Sequence, residues 1–292
     1  MSTESLKKSS YSEVIDLIKN NNKKEYNWVF DCDGTLINGD IASHTAWVLL
    51  QDKNFAEELP IKLKNQFDIN WTDAPYEKME ELREAFKNNG DSGEDFYHWE
   101  TRGMCERSPQ ALEDVAIEAL DIGLKQGTLS LTPEVSKLAT EFTDQAYIVS
   151  GSPNECVRAI ARKLKVDVNK VFSTSIKVDP STGLLIKELE EPGLVWEEEK
   201  RIILKTKNID HPYIVFGDSI GDWHMLEAST HFSWCVLWGE YRHRGQEFFR
   251  IINDRLFSGQ EILKNEVGIY SYRQKINGLD KTWILEIMPS FT

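Results

Sequence analysis

Two carboxylates one residue apart, Asp31 and Asp33, followed by Gly34 and Thr35, are the side chains in this sequence whose types and spacing most directly suggest chemistry. At a turn, groups this close converge on one ligand, and one can attack while the other moves protons. A carboxylate that attacks phosphorus forms an acyl phosphate and divides hydrolysis into two displacements. The other carboxylate can protonate the leaving oxygen and later deprotonate the attacking water. Carboxylate and phosphate are both anionic, so such a pairing calls for a cation. Magnesium, which prefers carboxylate and phosphate oxygens, suits that need.

Three later segments supply complementary groups. Asp218 and Asp222, in Gly217-Asp218-Ser219-Ile220-Gly221-Asp222, are candidate metal-site carboxylates, and the glycines permit tight turns. Ser150 and the Gly151 amide are candidates for binding phosphoryl oxygens. Lys200, preferred over Lys205 and Arg201, is the candidate ammonium for charge spread over those oxygens. Taken singly, each segment has an ordinary explanation as a turn, a loop, a helix cap or a solvated charged helix. Their order along the chain makes them informative.

The elements that must position these groups follow from apolar patterning. Trp28-Val29-Phe30 stops abruptly at Asp31, Ala146 to Val149 ends at Ser150, and Tyr213 to Phe216 runs into Gly217. Each reads as a buried strand with a polar loop at its carboxyl end. Helical patterns at Val135 to Phe142, Cys156 to Leu164 and Glu197 to Lys205 alternate with the strands, which predicts an α/β fold with a parallel sheet covered on both faces and ligands beyond the strand ends. Residues 41–126 change character, with apolar residues at helical spacing such as Met79, Leu82 and Phe86, and read as a helical insertion. Residues 27–40 and 127–292 then form the core. Residues 1–26 read as an N-terminal appendage whose Ser10 and Glu13 form a capping box. Two short strands flank the turn Asp179 to Gly183, and Ile262 to Thr292 carry no motif beyond an expected edge strand or helix. Phe96, Tyr97, Trp99 and the nearby Arg102 could line a substrate pocket, and His44 near the entrance of the insertion could meet substrate, but the aromatics read first as core and His44 as structural.

In this order, Asp31-Cys32-Asp33-Gly34-Thr35, Ser150-Gly151-Ser152, Lys200 and Gly217 to Asp222 resemble the four motifs of the haloacid dehalogenase superfamily, and specifically of its phosphatases. The resemblance spans roughly Asn27 to Cys235. It implies a Rossmann-like core, Asp31 as nucleophile, Asp33 as general acid and base, and magnesium held by Asp31, the Asp33 carbonyl and Asp218, with Asp222 in support. The insertion resembles the helical cap of the phosphoserine-phosphatase-like branch. Three positions depart from that branch: Asp40 stands where a glutamate usually helps recognise the substrate ammonium, Ser152 where a second glycine is common, and Gly221 where asparagine is common. Asp40 is therefore a substrate-contact candidate without carrying serine specificity.

Composition narrows the partners. With 48 acidic against 34 basic side chains the chain carries a net charge of -14, which repels a nucleic-acid backbone. No apolar run has the length of a membrane span, and the four scattered cysteines form no CxxC pair, so the expected setting is a reducing cytoplasm. The expected activity is phosphomonoester hydrolysis on a phosphorylated small molecule, with a phosphoprotein or lipid headgroup as alternative substrates. Phosphoryl transfer to an alcohol, or a non-catalytic binding role on the same fold, are the competing functions. Neither substrate identity nor oligomeric state is written in these motifs.

Overall fold

The computed structural model describes residues 7–50, 76–88, 93–238, 243–257, 267–276 and 279–288. The chain enters through β1 (Lys7–Ser9) and α1 (Tyr11–Asn21), then runs into β2 (Trp28–Phe30) and β3 (Ile37–Asn38). Four described helices follow: α2 (Ile41–Leu50), α3 (Glu77–Asn88), α4 (Gly93–Gly103) and α5 (Pro109–Gln126). Next come β4 (Ser130–Leu131), α6 (Pro133–Glu141), β5 (Ala146–Pro153), α7 (Asn154–Leu164) and β6 (Val171–Thr174). A hairpin of β7 (Ile176–Val178) and β8 (Leu185–Leu189) precedes α8 (Glu198–Thr206), β9 (Ile214–Gly217), α9 (Trp223–Ala228) and β10 (Phe232–Trp238). The described chain closes with α10 (His243–Phe257), β11 (Gly268–Ile276) and β12 (Leu279–Met288).

Eight strands form one sheet in the order β1-β11-β12-β10-β9-β2-β5-β6. From β6 to β12 every neighbouring pair is parallel, while β11 pairs antiparallel with both β12 and β1. The alternation expected of a strand distributes each central segment between two cores. Trp28, Phe30, Ile214, Phe216 and Trp234 pack on one face, and Val29, Val149, Val215, Cys235 and Leu237 on the other. Phe30 stacks on Phe216 at 4.4 Å between ring centroids, and Trp28 on Phe142 at 4.2 Å, so aromatic packing ties adjacent strands and α6 together. Apolar coverage of both faces is what permits an extended parallel sheet.

Two segments are more integrated than their sequence suggested. The N-terminal residues, read as an appendage, pack on the core: Ser10 forms the expected capping box, Val14 and Ile18 are buried, and the Ile18 carbonyl accepts from Tyr213 Oη at 3.0 Å. The Tyr11 hydroxyl donates to Glu286 of β12. The C-terminal segment, expected at an edge, puts β12 inside the sheet, paired with β10 from Phe232 to Trp238. Its unbroken apolar stretch Trp283-Ile284-Leu285 accounts for that position.

Helix α5 is anchored to α7. Ser108 caps α5, Pro109 opens it and Gly127, with φ 77°, ends it. From α5, buried Glu113 accepts from Arg158 Nε at 2.9 Å and also from Arg162 Nε, both on α7. Because the arginines are partly solvated, they can be rehydrated when the carboxylate is lost. Glu113→Gln is therefore expected to cost about 1–2 kcal/mol of stability, less than a fully buried pair would. Urea denaturation measures this, and an unchanged midpoint would remove the anchoring role.

Candidate active site

Asp31 follows the last residue of β2, and its amide donates to the Phe216 carbonyl of β9 at 3.0 Å. The chain then turns sharply, with the Leu36 and Ile37 amides both returning to the Cys32 carbonyl at 2.8 and 3.1 Å. Gly34 adopts φ 85°, and a Cβ there would lie 2.0 Å from Asp218 Oδ2. Backbone conformation and the packed carboxylate both demand glycine at this position. On the opposing loop, a Cβ on Gly217 would come within 2.5 Å of the Asp222 Cβ. Gly34 lets the two loops approach each other, and Gly217 lets Asp222 fold back over its own loop.

Lys200, on the first turn of α8, is only 5% exposed. Its Nζ donates to Asp31 Oδ1 and to Asp222 Oδ1, each at 2.6 Å. Burial alone would lower this ammonium, but the charges of Asp222 and Asp31 outweigh it and hold the group above its ordinary value. The same burial, and next the charge of Asp222, push Asp31 up to about 6 even with Lys200 against it. The direction that governs the cluster is the protonated lysine, since it faces two carboxylates. The other oxygen of Asp222 accepts from the Asp218 and Ser219 amides and from Ser219 Oγ, all at 3.0 Å.

Asp33 faces a different set of donors. Its Oδ1 accepts from the Ile41 amide at 2.7 Å, while Oδ2 accepts from Ser152 Oγ at 2.7 Å and from Ser150 Oγ at 3.4 Å. Burial, followed by the charges of Asp40 and Asp31, pushes Asp33 up to about 7. Asp40 uses Oδ1 to accept from the Ser43 amide at 3.0 Å, the bond of a helix N-cap, and Oδ2 to receive Arg83 Nη2 at 2.6 Å. Ser43 Oγ accepts from the same Arg83 nitrogen at 2.7 Å and donates to Glu100 Oε1 at 2.6 Å. The first turn of α2 thus receives two carboxylates, the arrangement its orphan amides and dipole favour.

Carboxylate oxygens of Asp31, Asp218 and Asp222 lie within 4.8 Å of one another. An oxygen-only donor set suits a hard divalent cation such as magnesium better than a soft metal. The backbone cradle at Gly34, which a methyl group would fill, presses the Asp218 carboxylate toward the Asp31 loop. The residues present therefore fit the metal their motifs imply.

A cavity of about 60 Å3 joins these groups, lined by Asp31, Asp33, Asp40, Ser150, Gly151 and Lys200, with Asp218 at its other side. Asp222 sits behind it, fully buried. Further lining residues, Tyr97, Ser152, Trp196 and Ser219, were not assigned from sequence. Tyr97 and Trp196 meet edge to face at 5.6 Å, joining α4 to the loop before α8. Phe96 and Trp99 are core residues as expected, while Arg102 is exposed. Arg83 was also missed, because within Glu80-Glu81-Leu82-Arg83-Glu84 an arginine reads as part of a solvated helix. The only available signal was its helical spacing from Met79 and Phe86. Cys32 is buried, and that burial, with the charges of Asp33 and Asp31 next, raises its thiol well above the usual range and keeps it unreactive.

A family model described as haloacid dehalogenase-like hydrolase matches residues 28–227. Among solved structures, a conserved functionally unknown protein from Anaerococcus prevotii DSM 20548 is similar with a TM-score of 0.58 and 16% identity, over 87% of this chain and 92% of that one. A protein with unknown function from Bordetella pertussis Tohama I gives 0.56 and 17%, over 78% and 95%. A substrate-bound phosphoserine phosphatase gives a lower TM-score, 0.42, at 17% identity over 74% and 87%. No curated protein sequence matches this chain.

His44 supplies a pH test of the wall beside Asp40. Its Nδ1 lies 2.8 Å from the Asp40 carbonyl, which makes it the protonated nitrogen, and Nε2 accepts from Thr128 Oγ1 at 3.0 Å. Burial pushes the imidazole down to about 4. The unfolded chain, with its histidine near 6.5, binds more protons between those values, so this contribution is full above about pH 6.5 and is lost as pH falls toward 4. Unfolding free energies at pH 7 and pH 5 should accordingly differ by about 2 kcal/mol more in the native sequence than in His44→Gln. Equal differences in urea titrations at the two pH values would remove this assignment.

Proposed function

The chain belongs to the haloacid dehalogenase-like hydrolase family, and from that premise we propose that it is a magnesium-dependent phosphomonoesterase working through an aspartyl-phosphate on Asp31. The observation that carries this reading is the convergence of Asp31, Asp33, Ser150, Lys200 and Asp218 on one cavity at the carboxyl ends of parallel strands.

In the first displacement an Asp31 oxygen attacks phosphorus as the bond to the leaving oxygen breaks, and that oxygen takes a proton from Asp33. In the second, Asp33 accepts a proton from water as the water attacks the aspartyl-phosphate, which releases phosphate and restores the Asp31 carboxylate. Ser150 Oγ and the Gly151 amide, which line the cavity, would donate to phosphoryl oxygens. Lys200 keeps a positive charge against Asp31 while negative charge accumulates beside it. Asp31, the Asp33 carbonyl and Asp218 would hold magnesium, with Asp222 supporting them through its bonds to Lys200 and the Asp218 amide. When bound, the cation offsets the repulsion between carboxylate and phosphate and stabilises charge on the phosphoryl oxygens.

The preferred substrate is a small phosphorylated molecule whose phosphoryl group would sit in this cavity, with a phosphoprotein or lipid headgroup as alternatives. Asp40 and its partner Arg83 lie on the side formed by the insertion, which is the reason to place substrate selection there. Helices α2 to α5 would constitute the cap, with residues 41–126 as its extent. Among the described residues no helix is long and apolar enough to cross a membrane. All four cysteines are buried as thiols, and we place the chain in a reducing compartment such as the cytoplasm.

Phosphate release from an aryl phosphate in the presence of magnesium tests the proposal. Asp31→Asn and Asp218→Asn are each expected to lower kcat/KM by at least about a thousandfold, with circular dichroism unchanged. Chelation should abolish turnover, and added magnesium should restore it. Full activity in the folded Asp31 variant would overturn the mechanism.

A further inference from the structure

Asp33 is held by two elements from opposite sides. The Ile41 amide at the start of α2 takes Oδ1 at 2.7 Å, and Ser152 Oγ at the end of β5 takes Oδ2 at 2.7 Å. Ser152 is 4% exposed and lines the cavity. Both the Ser150 and the Ser152 hydroxyl face Asp33 Oδ2. They do not do the same job. Ser150 Oγ lies 3.4 Å from Asp33 Oδ2 and accepts the Ser152 amide at 3.1 Å, while Ser152 makes the short bond to the carboxylate.

We propose that Ser152 is a positioning residue for proton transfer: its hydroxyl fixes the Asp33 carboxyl plane, which lets Asp33 protonate the leaving oxygen and leaves the Ser150 hydroxyl to the phosphoryl group. This inference rests on the phosphatase reading above. The carboxyl group of an aspartate turns about a broad terminal torsion, so one anchored oxygen does not define its orientation. With both oxygens anchored, the plane is set by α2 and β5 together. Ser152 exchanges no proton in the reaction. The proton leaves Asp33 for the departing alkoxide as the Asp31–phosphorus bond forms, and a proton returns to Asp33 from water in the second displacement.

The dependence on leaving group separates positioning from mere structural support. A nitrophenolate departs without needing a proton, whereas an alkoxide requires one, so a misaligned Asp33 penalises alkyl esters selectively. The value of kcat/KM reports the steps through formation of the aspartyl-phosphate and therefore contains the departure of the leaving group. In Ser152→Ala the ratio of kcat/KM for glycerol phosphate to that for p-nitrophenyl phosphate is expected to fall about tenfold. Ser152→Cys, similar in size but a weaker donor, should shift the ratio in the same direction, and Ser152→Thr should return it to within about threefold of the native value. Thermal unfolding of each variant accompanies the kinetics.

An unchanged ratio in folded Ser152→Ala, or an equal loss on both esters, would overturn the inference while leaving the phosphatase reading intact. Failure of the native enzyme to hydrolyse any phosphoester with magnesium present would overturn both. A ratio lowered by alanine and restored by threonine supports the positioning role.

Discussion

A buried ammonium shared by two carboxylates organises this molecule. Lys200 comes from α8, Asp31 from the end of β2, and Asp222 from the turn before α9, so one charge ties three separate parts of the core. None of the three is tolerable alone at this depth, because an unpaired buried charge costs several kcal/mol. Placing them together requires β2 and β9 to be neighbours and the first turn of α8 to begin at their carboxyl ends. Asp222 then has a second task. Its remaining oxygen gathers the Asp218 and Ser219 amides, which shapes the loop that presents the Asp218 carboxylate to Gly34. Structural electrostatics and the proposed chemistry thus use the same atoms.

The acid–base side of the cavity is built on a different principle. Asp33 and Asp40 satisfy amides in the first turn of α2. Helix capping is ordinarily a matter of stability alone, worth about 1 kcal/mol. Here it also joins the proposed proton carrier to α2. Tyr97 against Trp196 links α4 to the loop before α8, and Arg83 against Asp40 links α3 to the start of α2.

Asp31, Ser150 and Asp218 were legible because each follows an abrupt end to an apolar strand, whereas Lys200, on the first turn of a charged helix, was marked only by its order among them. The parallel sheet was legible for the same reason: Trp28-Val29-Phe30 and Tyr213 to Phe216 have no polar alternation and must be covered on both faces. Contacts made across long sequence separations were not. Arg83 looks like a solvated helical residue until Asp40 is brought beside it, and Trp196 sits in a loop whose sequence gives no sign that Tyr97 faces it. The same limit applies at the chain's outer elements. An amphipathic pattern marks α1 as a helix, but nothing local says that its apolar stripe meets Tyr213 or that Tyr11 reaches Glu286.

The position of β12 bears on solubility. Phe232-Ser233-Trp234-Cys235-Val236-Leu237-Trp238 is buried throughout its length, and seven successive registers join it to β12. Without that partner it would be an open, apolar edge of the kind that recruits strands from other molecules and seeds aggregates. The β11–β12 pair moves the sheet boundary outward to β1, a three-residue strand whose Lys7 and Lys8 are exposed. Short length and positive charge make that edge a poor template for further pairing. The terminal strands thus cover what would otherwise be the apolar edge of β10.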